Sequence, residues 1–271
     1  MEILLITEGT SESAKAIGIR RAKGEVIGIL ASDNEIIGPR TLSAAYLQAK
    51  SHGACYPDKY FITNKDNSLN RYFALFGCND PLALYMNKCD RIPLFIASRN
   101  PLKWDEDHRG LTVGDNGFFV QKSLIQATDL DNYYHIDNAN EIASKITTLD
   151  PRPNIHYSIW HKTGGNILTF FAKRYRYGLQ HAFNPNRRWH LVNFSRKEDI
   201  CRLAWFIVAS LTLIHPILTS IRGYRKHPDS AWFLHAPVCI MTVVTYGVLL
   251  IHAGCRRMFQ SLFAPMVARS H

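Results

Sequence analysis

Asp33 ends the apolar run Val26-Ile27-Gly28-Ile29-Leu30-Ala31, with Ser32 before it and Asn34 after it. In open α/β sheets, ligands bind in the crevice at the carboxyl ends of the strands. A carboxylate there can hold a divalent cation, which in turn neutralises a pyrophosphate. The same residues also make an ordinary Asp-Asn turn after a buried strand. The run alone does not separate the two.

The elements that must position Asp33 can be read around it. Glu2–Thr7 reads as a short strand. Thr10 or Ser11 caps a helix with Ala14, Ala16, Ile17 and Ile19 on its apolar side, basic residues near its end and Gly24 as its stop. A strand follows at 25–30, then a helix from Leu42 to Ser51 bounded by Gly53. This alternation predicts a parallel sheet. Weaker apolar runs lie at Tyr60–Thr63, Leu94–Ala97 and Gly117–Val120, and the charged stretch 98–115 reads as a loop.

With 46% apolar and 20% charged residues over 271 positions, the chain is a folded protein of one large domain, or one domain with an appendage. A net charge of +10 points to anionic partners. Nucleic acid is not expected among them, because there is no basic helix, zinc-finger spacing or aromatic RNA-binding signature. The six cysteines form no C-x-x-C pair, so neither a zinc ribbon nor a redox motif is expected. The first residues lack the pattern of a signal peptide, and nothing in the sequence specifies an oligomeric state.

Two stretches carry no formal charge: 19 residues from Leu203 to Ile221 and 26 from Ser230 to Cys255. Both reach the length needed to cross a bilayer. His215-Pro216 interrupts the first, and the linker 222–229 is short enough for a hairpin. Eight basic residues on the approach and tail, against three in the linker, place the N-terminal domain in the cytoplasm. A shallow hairpin within one leaflet is the alternative. The expected division is an α/β domain at 1–185, a basic linker at 186–202, two membrane helices within 203–255 and a basic tail at 256–271.

Lys23-Gly24-Glu25, leading through the strand into Ser32-Asp33-Asn34, resembles the family-2 glycosyltransferases, where an A-x-G-E element precedes a strand ending in D-x-D. Further likenesses follow in order. Asn70–Pro81 looks like a mid-domain element of membrane-attached members, and Gly114–Ser123 like the glycine-rich acceptor-side segment. His135-Ile-Asp137 stands at the acidic catalytic motif. Ile159-Trp-His161 with Lys173-Arg-Tyr-Arg176 resembles the closing segment.

The resemblance implies a GT-A-like, Rossmann-type mixed sheet flanked by helices. It implies a nucleotide-sugar donor, Mg²⁺ or Mn²⁺, and inverting transfer to a lipid-linked or glycan acceptor at a membrane. Carried onto this chain, Asp33 and His161 hold the metal. Ser32, Asp33, Asn34, Lys23, Arg174 and Arg176 bind the donor, while Gly114, Asn116 and Gly117 lie on the acceptor side. Asp137 is the first choice for the base and Asp115 the second.

Plainer readings stand beside these. Asp137 can cap a helix at Ala139–Ile146, His161 can be structural, the 173–176 run can serve electrostatics alone, and the glycines can serve turns. Two features depart from the family pattern: Ala31 replaces an acid, and the chain enters the pattern late, near Ile3. They motivate the rival expectation of a catalytically inactive, membrane-anchored binding or scaffold protein.

Overall fold

The computed structural model describes residues 2–57, 59–89, 112–146, 158–162, 165–182 and 186–267. The runs at 94–97 and 98–111 fall outside them.

Helix α1 (Ser11–Arg21) starts where expected. The Thr10 side chain accepts from the Ser13 amide, and Ser13 Oγ accepts in return from the Thr10 amide. It ends at Ala22, short of the expected stop Gly24. Strand β1 (Val26–Leu30) buries Ile27 and Ile29 and turns Gly28 and Leu30 outward, the alternation of a strand covered on one side. After β2 (Asn34–Ile37), helix α2 (Thr41–His52) closes on Gly53 at φ 89°, leading into β3 (Ala54–Cys55). Helices α3 (Ser68–Phe76) and α4 (Pro81–Tyr85) precede β4 (Asn116–Gln121), followed by α5 (Lys122–Gln126), α6 (His135–Lys145) and β5 (Ser158–His161). The expected strand at 2–7 does not form. No described strand pairs with it, and Ile3 and Leu5 remain 81% and 86% exposed.

The protein is mixed α/β, with small antiparallel sheets. Strand β4 lies between β1 and β3 and runs antiparallel to both. β1 and β3 therefore point the same way, as the strand–helix–strand alternation requires, but a later strand fills the slot between them. Phe118 and Val120 of β4 pack with Ile27, Ile29, Ile19, Ile125 and Ile142, beneath α1, α5 and α6. Phe119 faces the other way, onto Ala44, Ala45 and Ala49 of α2. A second pair, β2 with β5, forms a separate ribbon, and a parallel bridge attaches Tyr60 to Ile159 of β5.

The remaining helices are α7 (Ile167–Ala182), α8 (Lys197–Thr212), α9 (Ile214–Lys226), a 3₁₀ turn at Ser230–Leu234 and α10 (His235–Val267). Residues Ser230–Arg256 form the one described helical stretch long and apolar enough by itself to cross a membrane. The first charge-free window is not one helix. It breaks at Leu213, where φ is 61°, and α9 leaves α8 at 82°. Pro216 in the first turn of α9 has no amide to donate, and its ring excludes a carbonyl four residues back, so α8 cannot continue through it. The Asn70–Pro81 segment supplies α3 and the start of α4. It packs Tyr72, Phe73 and Phe76 against Trp232 and Val238.

Two contacts fix this helical layer. Lys88 Nζ meets Asp199 at 2.8 Å and donates to the Leu191 carbonyl, tying α8 to the α4 segment out of water. Trp232 lies over Gly223, where a Cβ would come within 2.5 Å of the indole.

Candidate functional site

At the end of β1 the chain turns through Ala31–Asn34, with the Asn34 amide donating to the Ala31 carbonyl at 3.1 Å. The turn reading is therefore correct as far as it goes, but the turn also delivers Asp33 to His161. Their Oδ2 and Nε2 atoms are 3.7 Å apart, with side-chain exposures of 32% and 9%. This is too long for a hydrogen bond. Two ligands each about 2.1 Å from one ion lie about 3.0–4.2 Å apart between cis and trans geometry.

Asn34 pairs in register with His161, so the two share a face of the β2–β5 ribbon. Asn34 Nδ2 donates to Asp33 Oδ1 at 2.9 Å and to Asn116 Oδ1 at 3.0 Å, and Asn116 donates to the Tyr60 hydroxyl at 3.1 Å. Among the described residues nothing donates to the buried Asn34 Oδ1. Asn34, expected on the donor side, and Asn116, expected on the acceptor side, are thus brought together. Tyr60, whose ring meets His161 edge-on at 5.4 Å, has no signal in the sequence beyond its place in an apolar run.

Gly117 makes this convergence possible. The β1–β4 register slips between Ile29 and Leu30, leaving Gly117 as the extra residue at φ 84°. A glycine in this conformation forms the bulge that bends the strand and re-aims the residue beside it. A Cβ at Gly117 would come within 2.6 Å of Ile159 Cγ1 in β5. The glycine therefore also sets how closely β4 approaches the strand that carries His161.

The two acids differ in surroundings. Asp115, between Gly114 and Asn116, meets Lys15 Nζ at 2.7 Å, and Lys15 also holds Glu12 at 2.8 Å. Burial alone would raise the Asp115 carboxyl. The Lys15 charge and then His135 outweigh it, and the pKa lies at about 2. Burial pushes His135 below the ordinary histidine range. Its backbone amide donates to Glu12, and its ring pairs with the Tyr133 hydroxyl at 2.9 Å. Glu12, Lys15 and Tyr133 carry no mark in the sequence, because their role arises where α1 meets the residue before β4 and the start of α6.

Asp137 is placed differently from the cap reading, since α6 begins at His135 and Asp137 lies in its first turn. It is 3% exposed, and its oxygens accept the Arg188 and Trp189 amides at 3.0 and 2.9 Å. The carboxylate clamps the 187–189 segment onto α6.

Other expected donor residues stand apart. Lys23 lies before β1, at the opposite end of that strand from Asp33, and its amide donates to Glu2. Arg174 pairs with Asp80 at 3.2 Å and donates to the Asn79 carbonyl, while Tyr246 of α10 donates to the same Asp80 carboxylate. Arg176 is exposed on α7, and Ser32 is exposed in the turn. One broad open trough nevertheless runs past Asp33, His161, Asp115, Arg174, Trp189 and Tyr246.

Among the described residues no three His, Cys, Asp or Glu side chains gather around one point. Asp33 and His161 form a partial, two-member donor set. Such a set suits Mg²⁺ or Mn²⁺ bound together with substrate phosphates, which supply the remaining oxygens. No protein-family model, curated protein or solved structure matches this chain.

Proposed function

We propose that the protein is a membrane-associated inverting glycosyltransferase of the family-2 type, built on a GT-A-like domain. The approach of Asp33 to His161 at 3.7 Å carries this reading, because it joins two motifs 128 positions apart at the crevice end of β1. Asp33 and His161 would hold a divalent ion there, and such an ion would supply positive charge to a leaving diphosphate. Asn34 and Asn116 orient donor and acceptor across the same crevice. The acceptor oxygen bonds to the anomeric carbon as the bond to diphosphate breaks, and a carboxylate takes the acceptor's proton.

Asp115 suits that last role better than Asp137. It borders the trough, where release of Lys15 would restore its basicity, whereas both Asp137 oxygens accept backbone amides. The basic residues around the apolar helices favour the anionic cytoplasmic surface, and the helices themselves favour a lipid or lipid-linked acceptor.

The test is donor hydrolysis or transfer with and without Mn²⁺ in Asp33→Ala and Asp115→Ala. Both variants should lose turnover, and only Asp33→Ala should lose metal dependence of donor binding. Unchanged turnover in both would overturn the assignment. Ala31, the Lys15–Asp115 pair and the closed Asp137 favour a second reading, a catalytically silent nucleotide-sugar-binding protein. Metal-dependent calorimetric binding without turnover under any condition would select it.

A further inference from the structure

We infer that α8, α9 and α10 lie in one leaflet and that the chain does not cross the bilayer. This rests on the membrane association proposed above and not on the transferase chemistry. The first observation is how α10 is held. Tyr246 lies three residues, about 4.5 Å, past the midpoint of Ser230–Arg256. Its hydroxyl donates to Asp80, which pairs with Arg174. Farther along, Leu249 packs over Gly178 of α7, and His252 pairs with Tyr175. Lys173 and Arg176 are exposed on that same α7. A spanning α10 would draw the Asp80–Arg174 pair and these cations inside the half-thickness of the hydrocarbon, about 15 Å. Charges at that depth are costly and are paired or face water.

The second observation is length and angle. Helices α8 and α9, of 16 and 13 residues, are about 24 and 20 Å long, and they meet at 82°. Neither reaches across about 30 Å of hydrocarbon.

The third is that these helices are apolar on the outside. Helix α9 buries Pro216, Thr219, Ser220 and Gly223 while Ile214, Ile217 and Leu218 are exposed. Leu211 of α8 and Leu250 and Ile251 of α10 are each at least 65% exposed. An apolar surface this extensive, over small and hydroxyl-bearing interfaces, fits lipid tails.

Charge names the leaflet. Arg222, Arg225 and Lys226 at the end of α9 are exposed, as are Lys173, Arg176 and Lys197. A spanning hairpin would divide these cations between two sides. A one-leaflet arrangement gathers them at a single anionic surface. It also accounts for a linker that itself carries three basic residues.

The experiment uses the full chain in sealed membrane vesicles, with the exposed Cys201 and Cys255 changed to serine. Single cysteines are introduced as Lys197→Cys or His227→Cys, and an epitope tag follows His271. A membrane-impermeant maleimide and an added protease then report sidedness. The expected result is that His227→Cys and the tag are as accessible as Lys197→Cys before permeabilisation. Position 227 reached only after permeabilisation would establish a spanning hairpin and overturn the inference. A tag cleaved only after permeabilisation would establish a spanning α10 and also overturn it. Recovery of the protein outside the membrane fraction would overturn it as well. None of these readouts depends on turnover, so loss of the transferase reading leaves them intact.

Discussion

Gly117→Ala tests whether the bulge controls the approach of the two halves of the site. At φ 84° a Cβ meets backbone strain of roughly 1–2 kcal/mol. It also meets Ile159 Cγ1 at 2.6 Å and Cδ1 at 3.2 Å. Forcing a methyl into a packed contact of this kind costs about 1–3 kcal/mol. The expected total is about 2–5 kcal/mol, read from urea unfolding of the detergent-solubilised protein. Ile159→Ala removes the obstructing atoms, so in that background Gly117→Ala should cost only the strain, about 1–2 kcal/mol. The coupling between the two positions is then about 1–3 kcal/mol by double-mutant cycle. Relief of the clash by movement of β5 would displace His161 from Asp33, so Mn²⁺ affinity should fall along with stability. A cost below about 0.5 kcal/mol, the scale of a surface change, would refute the reasoning. So would equal costs in both backgrounds.

Asp137→Ala should destabilise by about 3 kcal/mol, the scale of losing charge-assisted bonds to buried amides, and should speed tryptic cleavage after Arg187 and Arg188. Full stability with abolished transfer would instead make Asp137 the base. Acid should weaken the fold in two stages. His135 is held below 6.5, so its contribution is present above that pH and is lost as pH falls beneath it. Asp115 falls from 3.8 to about 2, so its contribution of about 2 kcal/mol is present above 3.8 and is lost as pH approaches 2. Thermal melts from pH 7 to 2 check both, and Lys15→Met should flatten the lower stage; a Tm that holds level to pH 2 would contradict the pairing.

Where an element depends on near neighbours, it was legible. The Thr10 cap, strand β1 and the α2–Gly53 boundary follow from residues within a turn of one another. The sheet order did not follow, because β4 is chosen by long-range pairing that no local pattern records. Asp33 and His161 were marked by residue type and motif order, and their meeting depends on β2 pairing with β5. Asp137 was marked too, but an acid that clamps a distant loop and one that takes a proton read alike until its oxygens are seen to be occupied. The break at Pro216 was visible as an interruption; the 82° turn it produces is set by tertiary packing.

The insertion of β4 between β1 and β3 has a consequence for synthesis on the ribosome. β1 and β3 are complete by Cys55, yet they do not pair with each other. Their partner begins at Asn116, some sixty residues later, so at 5–20 residues per second two open strand edges wait roughly 3–12 s. A nascent chain paused in that interval is the form most exposed to aggregation and most in need of a chaperone.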